Sequence, residues 1–98
     1  MRINWSPLAV DRVTEIAEYI AMDNPAAAGK WVTMVFKKVE ELQNFPESGR
    51  IVPETKNKSI RELIYGNYRI IYRVEKGAIS VLTIRHGKQV LPMEDINS

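Results

Sequence analysis

The chain has 98 residues, 45% of them hydrophobic and 27% charged, with a formal net charge of +2. That length and balance describe one globular domain, residues 1–98, whose core removes roughly 60–70% of the unfolded surface from water, and they argue against disorder. With no Cys and a single His, disulfides and thiolate metal sites are excluded and no metal or cofactor is expected.

The opening Ile3-Asn4-Trp5 reads as a short extended segment. Ser6 then suits an N-cap and Pro7 a first helical position. Val13, Ile16, Ala17 and Ile20 follow at i, i+3, i+4 and i+7, one apolar stripe, with Asp11, Glu15 and Glu18 off it. Asp23-Asn24-Pro25 ends this helix and begins a second, with Asn24 as its cap. The second helix is expected to run to about Asn44, with Ala28, Val32, Val35, Phe36, Val39 and Leu42 along its stripe and Trp31 and Met34 widening it. Phe45-Pro46-Glu47-Ser48-Gly49-Arg50 breaks it, and residues 50–58 are polar and irregular.

From Ile60 the pattern becomes β. Residues 60–64 form a strand, Tyr65-Gly66-Asn67 a turn, residues 68–74 a second strand, Glu75-Lys76-Gly77 a second turn, and residues 78–85 a third strand. Residues 89–98 are a candidate C-terminal arm or a last short strand. The order β-α-α-β-β-β predicts an α+β fold, a helical hairpin packed on one face of a mainly antiparallel small sheet.

Charge is unevenly spread. Residues 50–88 hold nine basic residues against Glu54, Glu62 and Glu75, a local net charge of +6. Such a half suggests a polyanionic or acidic partner, with a solvated basic face as the plain alternative. Alternation places Arg69, Ile71 and Arg73 on one face of their strand, and Tyr68, Ile70, Tyr72 and Val74 on the other. In the preceding strand, Arg61 and Leu63 lie opposite Ile60, Glu62 and Ile64. If the arginine faces are the open side of the sheet, Arg61, Arg69 and Arg73 converge there, with Arg85, His86 and Lys88 at the end of the neighbouring strand. That reading depends on register.

The stretches RELIYGNYRIIYRV and SVLTIRHGK, with the earlier WSPLA and FPESGR, resemble the RelE/ParE superfamily of toxins from type II toxin–antitoxin pairs, and ParE-type members more closely. The likeness covers nearly the whole chain. It implies a toxin fold and a cognate antitoxin that wraps it, with DNA contacted only through the toxin–antitoxin complex. It implies one of two activities. ParE-like members inhibit DNA gyrase and block replication. RelE-like members cleave messenger RNA on the ribosome, using basic and aromatic side chains.

Arg69 matches a RelE-type catalytic arginine. The two lysines of the preceding RelE-type strand correspond here to Ile60 and Glu62, Gly87-Lys88 is followed by Gln89 rather than Arg, and no Tyr follows Lys88. These departures favour the gyrase inhibitor, which need not be an enzyme. Its target-binding candidates are Arg61, Arg69, Arg73, Arg85, His86 and Lys88. In the ribonuclease alternative, Arg61, Arg69 and Arg85 clamp phosphate, and His86, with an ordinary pKa near 6.5, serves as acid or base. A non-toxic or decayed binding module of the same fold is the third class. No apolar run approaches the roughly 20 residues that span a bilayer, and the N-terminus lacks a signal-peptide core, so a cytoplasmic location and no membrane partner are expected.

Overall fold

The computed structural model describes residues 1–97, with side chains described through Ile96. Strand β1 (Arg2–Trp5) leads into helices α1 (Pro7–Asp23) and α2 (Pro25–Glu41). Strands β2 (Arg50–Ile51), β3 (Ile60–Tyr65), β4 (Tyr68–Glu75) and β5 (Ala78–His86) follow, and a short helix α3 (Met93–Asn97) closes the chain. The helix boundaries have local causes. Ser6 Oγ accepts from Ala9 N at 3.0 Å, and Asn24 Oδ1 accepts from Ala27 N at 3.1 Å, so each cap satisfies a donor that the first turn leaves free. Asn24 N donates to Ile20 O, so one residue both ends α1 and begins α2. The second helix stops at Glu41, earlier than the expected Asn44, and residues 42–44 form turns.

The sheet order is β1-β5-β4-β3-β2. β1 runs parallel to β5 and the other pairs are antiparallel, so the first strand of the chain joins the last. Gly66 (φ 57°) and Gly77 (φ 72°) sit in the tight turns of the two hairpins, where a left-handed backbone favours glycine. The α+β expectation holds, with the short β2 and the terminal helix α3 added.

One sheet face packs on the helical hairpin through Ala9, Val13, Trp31, Val35, Val39, Ile70, Val81 and Ile84. The second face was expected to be open. It is instead covered: Val52, Ile60, Ile71, Leu82, Leu91 and Ile96 form a separate buried cluster. Leu91 and Ile96 come from the C-terminal segment, so residues 89–96 lie against the sheet. Ser98, the last residue of the predicted arm, lies outside the described residues. Among the described residues, no helix is long and apolar enough to cross a membrane.

Candidate functional site

Register decides where the cations go. A two-residue loop sets Tyr65 opposite Tyr68, which places Glu62 opposite Ile71 and Arg61 opposite Tyr72. Directly opposed residues share a face. Arg61 therefore lies with Tyr72 on the helix side, and Glu62 lies with Arg69 on the other. The sequence expectation had these two the other way round. Arg61 Nη1 donates to Gly49 O at 2.8 Å and helps hold the loop after α2. The same loop is fixed by Tyr72, whose hydroxyl donates to Pro46 O at 2.8 Å and accepts from Gly49 N at 3.0 Å.

A β-bulge in the β4–β5 pair shifts the register by one, so Tyr72 faces Val81 while Ile71 faces Thr83. Leu82 is the extra residue. Without it, Arg85 would sit opposite Tyr68 on the helix side. With it, Arg85 stands opposite Arg69 on the far face, and His86 takes the place beside Tyr68. The rings of Tyr68 and His86 meet edge to face at 5.8 Å.

Arg69, Arg73 and Arg85 thus share the far face, but none is presented freely. Arg69 is 4% exposed. Its Nε donates to Glu62 Oε1 at 2.6 Å, and its Nη1 and Nη2 donate to the two oxygens of Glu54 at 2.8 and 2.7 Å. Nη1 also reaches Gln89 O at 3.2 Å. The second oxygen of Glu62 accepts from Arg50 Nε at 2.5 Å. The far-face cluster is therefore Arg50–Glu62–Arg69–Glu54, two cations and two anions. A buried charge that is paired and hydrogen-bonded on every side is tolerated; one left alone is not. The paired guanidinium holds the Glu54 carboxyl at about 2, well below its ordinary 4.5, and the backbone bond from Leu91 adds to the effect. The same hydrogen bonds raise the pKa of Arg69 further.

The C-terminal segment touches each of the three arginines. It gives Arg69 the carbonyl of Gln89, Arg73 the carbonyl of Ile96 (2.8 Å), and Arg85 the carboxylate of Asp95 (3.0 Å). Lys88 is exposed in the turn after β5, where its backbone N donates to His86 Nδ1 at 3.2 Å. The six cationic candidates therefore do not form one open patch. Sequence reasoning missed the partners, Glu54 and Glu62. For Glu62 the signal was the pair register that the two-residue turn fixes; Glu54, in the loop between β2 and β3, had none.

A cleft of about 430 Å³ opens between α1 and the ends of β4 and β5, lined by Arg12, Tyr19, Tyr68, Arg85 and His86 among others. A separate and strongly apolar groove of about 570 Å³ runs between the two long helices, past Trp5, Val10, Val32 and Phe36. Val10 and Phe36 are 49% and 42% exposed, a sizeable apolar surface for so small a chain.

The family model for the ParE toxin of the type II toxin–antitoxin system parDE matches residues 3–91. The chain belongs to the ParE toxin family. It is 37% identical over 93 residues to a Sinorhizobium fredii protein named as a toxin, Y4kP, with 93% of each chain covered. It is 29% identical over 90 residues to Toxin RelE2 of Caulobacter vibrioides, covering 91% of this chain and 98% of that one. Its fold is similar to a solved structure titled as the chromosomal ParDE TA system from P. aeruginosa. There the TM-score is 0.70 at 24% identity, over 88% of this chain and 95% of the other. This ParE-family chain is thus a toxin of a type II toxin–antitoxin system, and a toxin of that kind implies a cognate antitoxin.

Proposed function

We propose that this toxin acts by inhibiting DNA gyrase, and so blocks replication in the cytoplasm, where gyrase and the chromosome are found. The observation that carries this reading is the burial of Arg69. Phosphate chemistry of the RelE type needs that arginine turned toward a substrate, with donors to spare for the developing charge. Here Nε, Nη1 and Nη2 already donate to Glu62 and Glu54. Bringing a phosphate to this cluster would place it against two carboxylates. An inhibitor of a protein machine works by shape and contact and needs no such clamp.

The antitoxin has a surface suited to it in the apolar groove past Val10 and Phe36, where an amphipathic helix can bury its apolar stripe. Its acidic residues have less to find on the far face, since the toxin's own C-terminal segment already engages Arg69, Arg73 and Arg85. The toxin contacts DNA only through the antitoxin complex, which represses its own operon.

The test is inducible expression without antitoxin, with DNA and protein synthesis pulse-labelled separately. Early loss of DNA synthesis with trapped gyrase cleavage complexes is expected. Early loss of protein synthesis with cut messenger RNA would replace this reading by the ribonuclease one, and His86 would be the first residue to mutate. Arrest of neither would leave a non-toxic module.

A further inference from the structure

We infer that two copies of this chain join by exchanging their C-terminal segments, residues 91–96 of each covering the far sheet face of the other. The exchange does not depend on what the toxin's target is. What the far face takes is displayed by the segment that already covers it. Leu91 and Ile96 fill the cluster with Val52, Ile60, Ile71 and Leu82. Asp95 pairs with Arg85 at 3.0 Å, Ile96 O accepts from Arg73 at 2.8 Å, and Leu91 N donates to Glu54 at 2.9 Å. A foreign segment would have to reproduce this set of apolar, anionic and backbone groups. A second copy has it by construction. Each contact made within one chain can be made identically between two, which is the condition for segment exchange.

The segment is attached through a turn that can open. Gly87, Lys88, Gln89 and Val90 join it to β5, and all four are exposed. The chain folds back there through Gln89 N, which donates to His86 O at 3.0 Å, and Lys88 N, which donates to His86 Nδ1 at 3.2 Å. Water replaces such exposed bonds at small net cost. Opened, four residues reach about 14 Å at most. Pro92 already biases Leu91 toward extended backbone. On either side of Leu91, Val90 and Met93 are 76% and 52% exposed. Two far faces brought together by the exchange cover these side chains, a gain that the single chain lacks.

Concentration sets the balance. Within one chain the short turn holds the segment near its site at an effective concentration in the millimolar range. Exchange therefore needs crowded chains whose far faces are still uncovered, the situation during refolding. Once formed, the exchanged dimer separates only by undocking two apolar segments, so it persists on dilution. The helical hairpins pack on the opposite sheet face and point outward in such a dimer. Both apolar grooves past Val10 and Phe36 stay open, so the dimer offers two antitoxin surfaces.

The test uses the full chain and two single variants, Arg85→Asp and Asp95→Arg. Each variant opposes like charges within its own chain and within a dimer of itself. An exchanged pair of one with the other restores both ion pairs: the introduced carboxylate meets the introduced guanidinium, and the native Arg85 meets the native Asp95. Refolded together in equal amounts, they are expected to give a mixed dimer of twice the mass of either alone, read by native mass spectrometry and light scattering. That dimer should melt above both separate variants. The parent, refolded from urea at roughly millimolar chain, is expected to form a dimer. Isotope-filtered NMR on half-labelled chains should place its Leu91 methyls against Val52 and Ile71 of the other copy. The inference is overturned if the co-refolded variants fold but stay monomeric, if the parent stays monomeric at that concentration, or if its dimer keeps Leu91 against its own chain. If the variants fold neither alone nor together, the parent's NMR contacts decide by the same criterion.

Discussion

Arg69 Nε donates to Glu62 Oε1 across 2.6 Å, and the Glu62 side chain has no exposed surface. The pair converts what looks in sequence like an open basic strand into an internal strut. Its energetic character is asymmetric: the intact pair contributes little net stability, while losing one partner strands the other.

Arg69→Ala should therefore destabilise the fold by about 3–5 kcal/mol, the range for an orphaned buried partner. Each kcal/mol moves the melting temperature by about 4–8 °C in a domain of this size. A drop of at least about 12 °C in Tm is expected, so loss of toxicity in this variant reports on folding first. An unchanged Tm would mean that Arg69 is not held as described.

The acid limb of stability should depend on Glu54. Its carboxyl sits at about 2 when folded against an ordinary 4.5. A depressed folded value stabilises above the unfolded pKa, and that contribution disappears as pH falls through the folded one. Stability is expected to fall between about pH 5 and pH 2 by about 3 kcal/mol from this group, at 1.36 kcal/mol per unit. Glu54→Gln should be less stable at pH 7 and should flatten the decline, as measured by urea unfolding across the range. An acid limb identical to the parent's would contradict the assignment.

Gly49 is required by contact rather than by backbone angle. A Cβ there would stand 2.5 Å from Glu62 O and 2.7 Å from the Tyr72 hydroxyl. Gly49→Ala must push the loop off the sheet and disturb both hydrogen bonds of Tyr72. We expect a loss of about 1–3 kcal/mol, as for other overpacked sites. Tyr72→Phe/Gly49→Ala should cost less than the sum of the single changes, because both act on the same contact.

Removing residues 89–98 should cost stability and toxicity together. Leu91 and Ile96 are 2% and 4% exposed, within a cluster that covers the far face of the sheet. Leu91→Ala alone is expected to cost about 2–5 kcal/mol. A truncated chain that melts with the parent would show that the segment is not part of the core.

The sequence made the helices and hairpins legible because their signals are local. Ser6-Pro7, Asn24-Pro25, Gly66 and Gly77 each act on the backbone within a few residues. The covered face was not legible. Residues 60–74 alternate as read, but alternation within one strand does not say which of its faces joins which face of the next. The two-residue turn after Tyr65 contained that answer: it sets Glu62, not Arg61, beside the arginines. The bulge at Leu82 had no sequence signal of comparable strength, yet it moves Arg85 from one face to the other. The cover over the far face was hidden for a further reason. Leu91 stands in the short run Val90-Leu91-Pro92-Met93 without helix or strand periodicity, Val90 and Met93 remain exposed, and the burial of Leu91 and Ile96 depends on a sheet already formed.

The strand order also fixes when the molecule can exist. β1 pairs with β5, which ends at His86 about 80 residues later in the chain, and the far face closes only when Leu91 and Ile96 arrive. Synthesis proceeds from the N-terminus, so a nascent chain carries an unpaired β1 until β5 emerges and an uncovered core face until Ile96 does. A copy whose emerged chain stops short of Ile96 is therefore an open sheet with one bare face, exposed to any edge or apolar surface it meets.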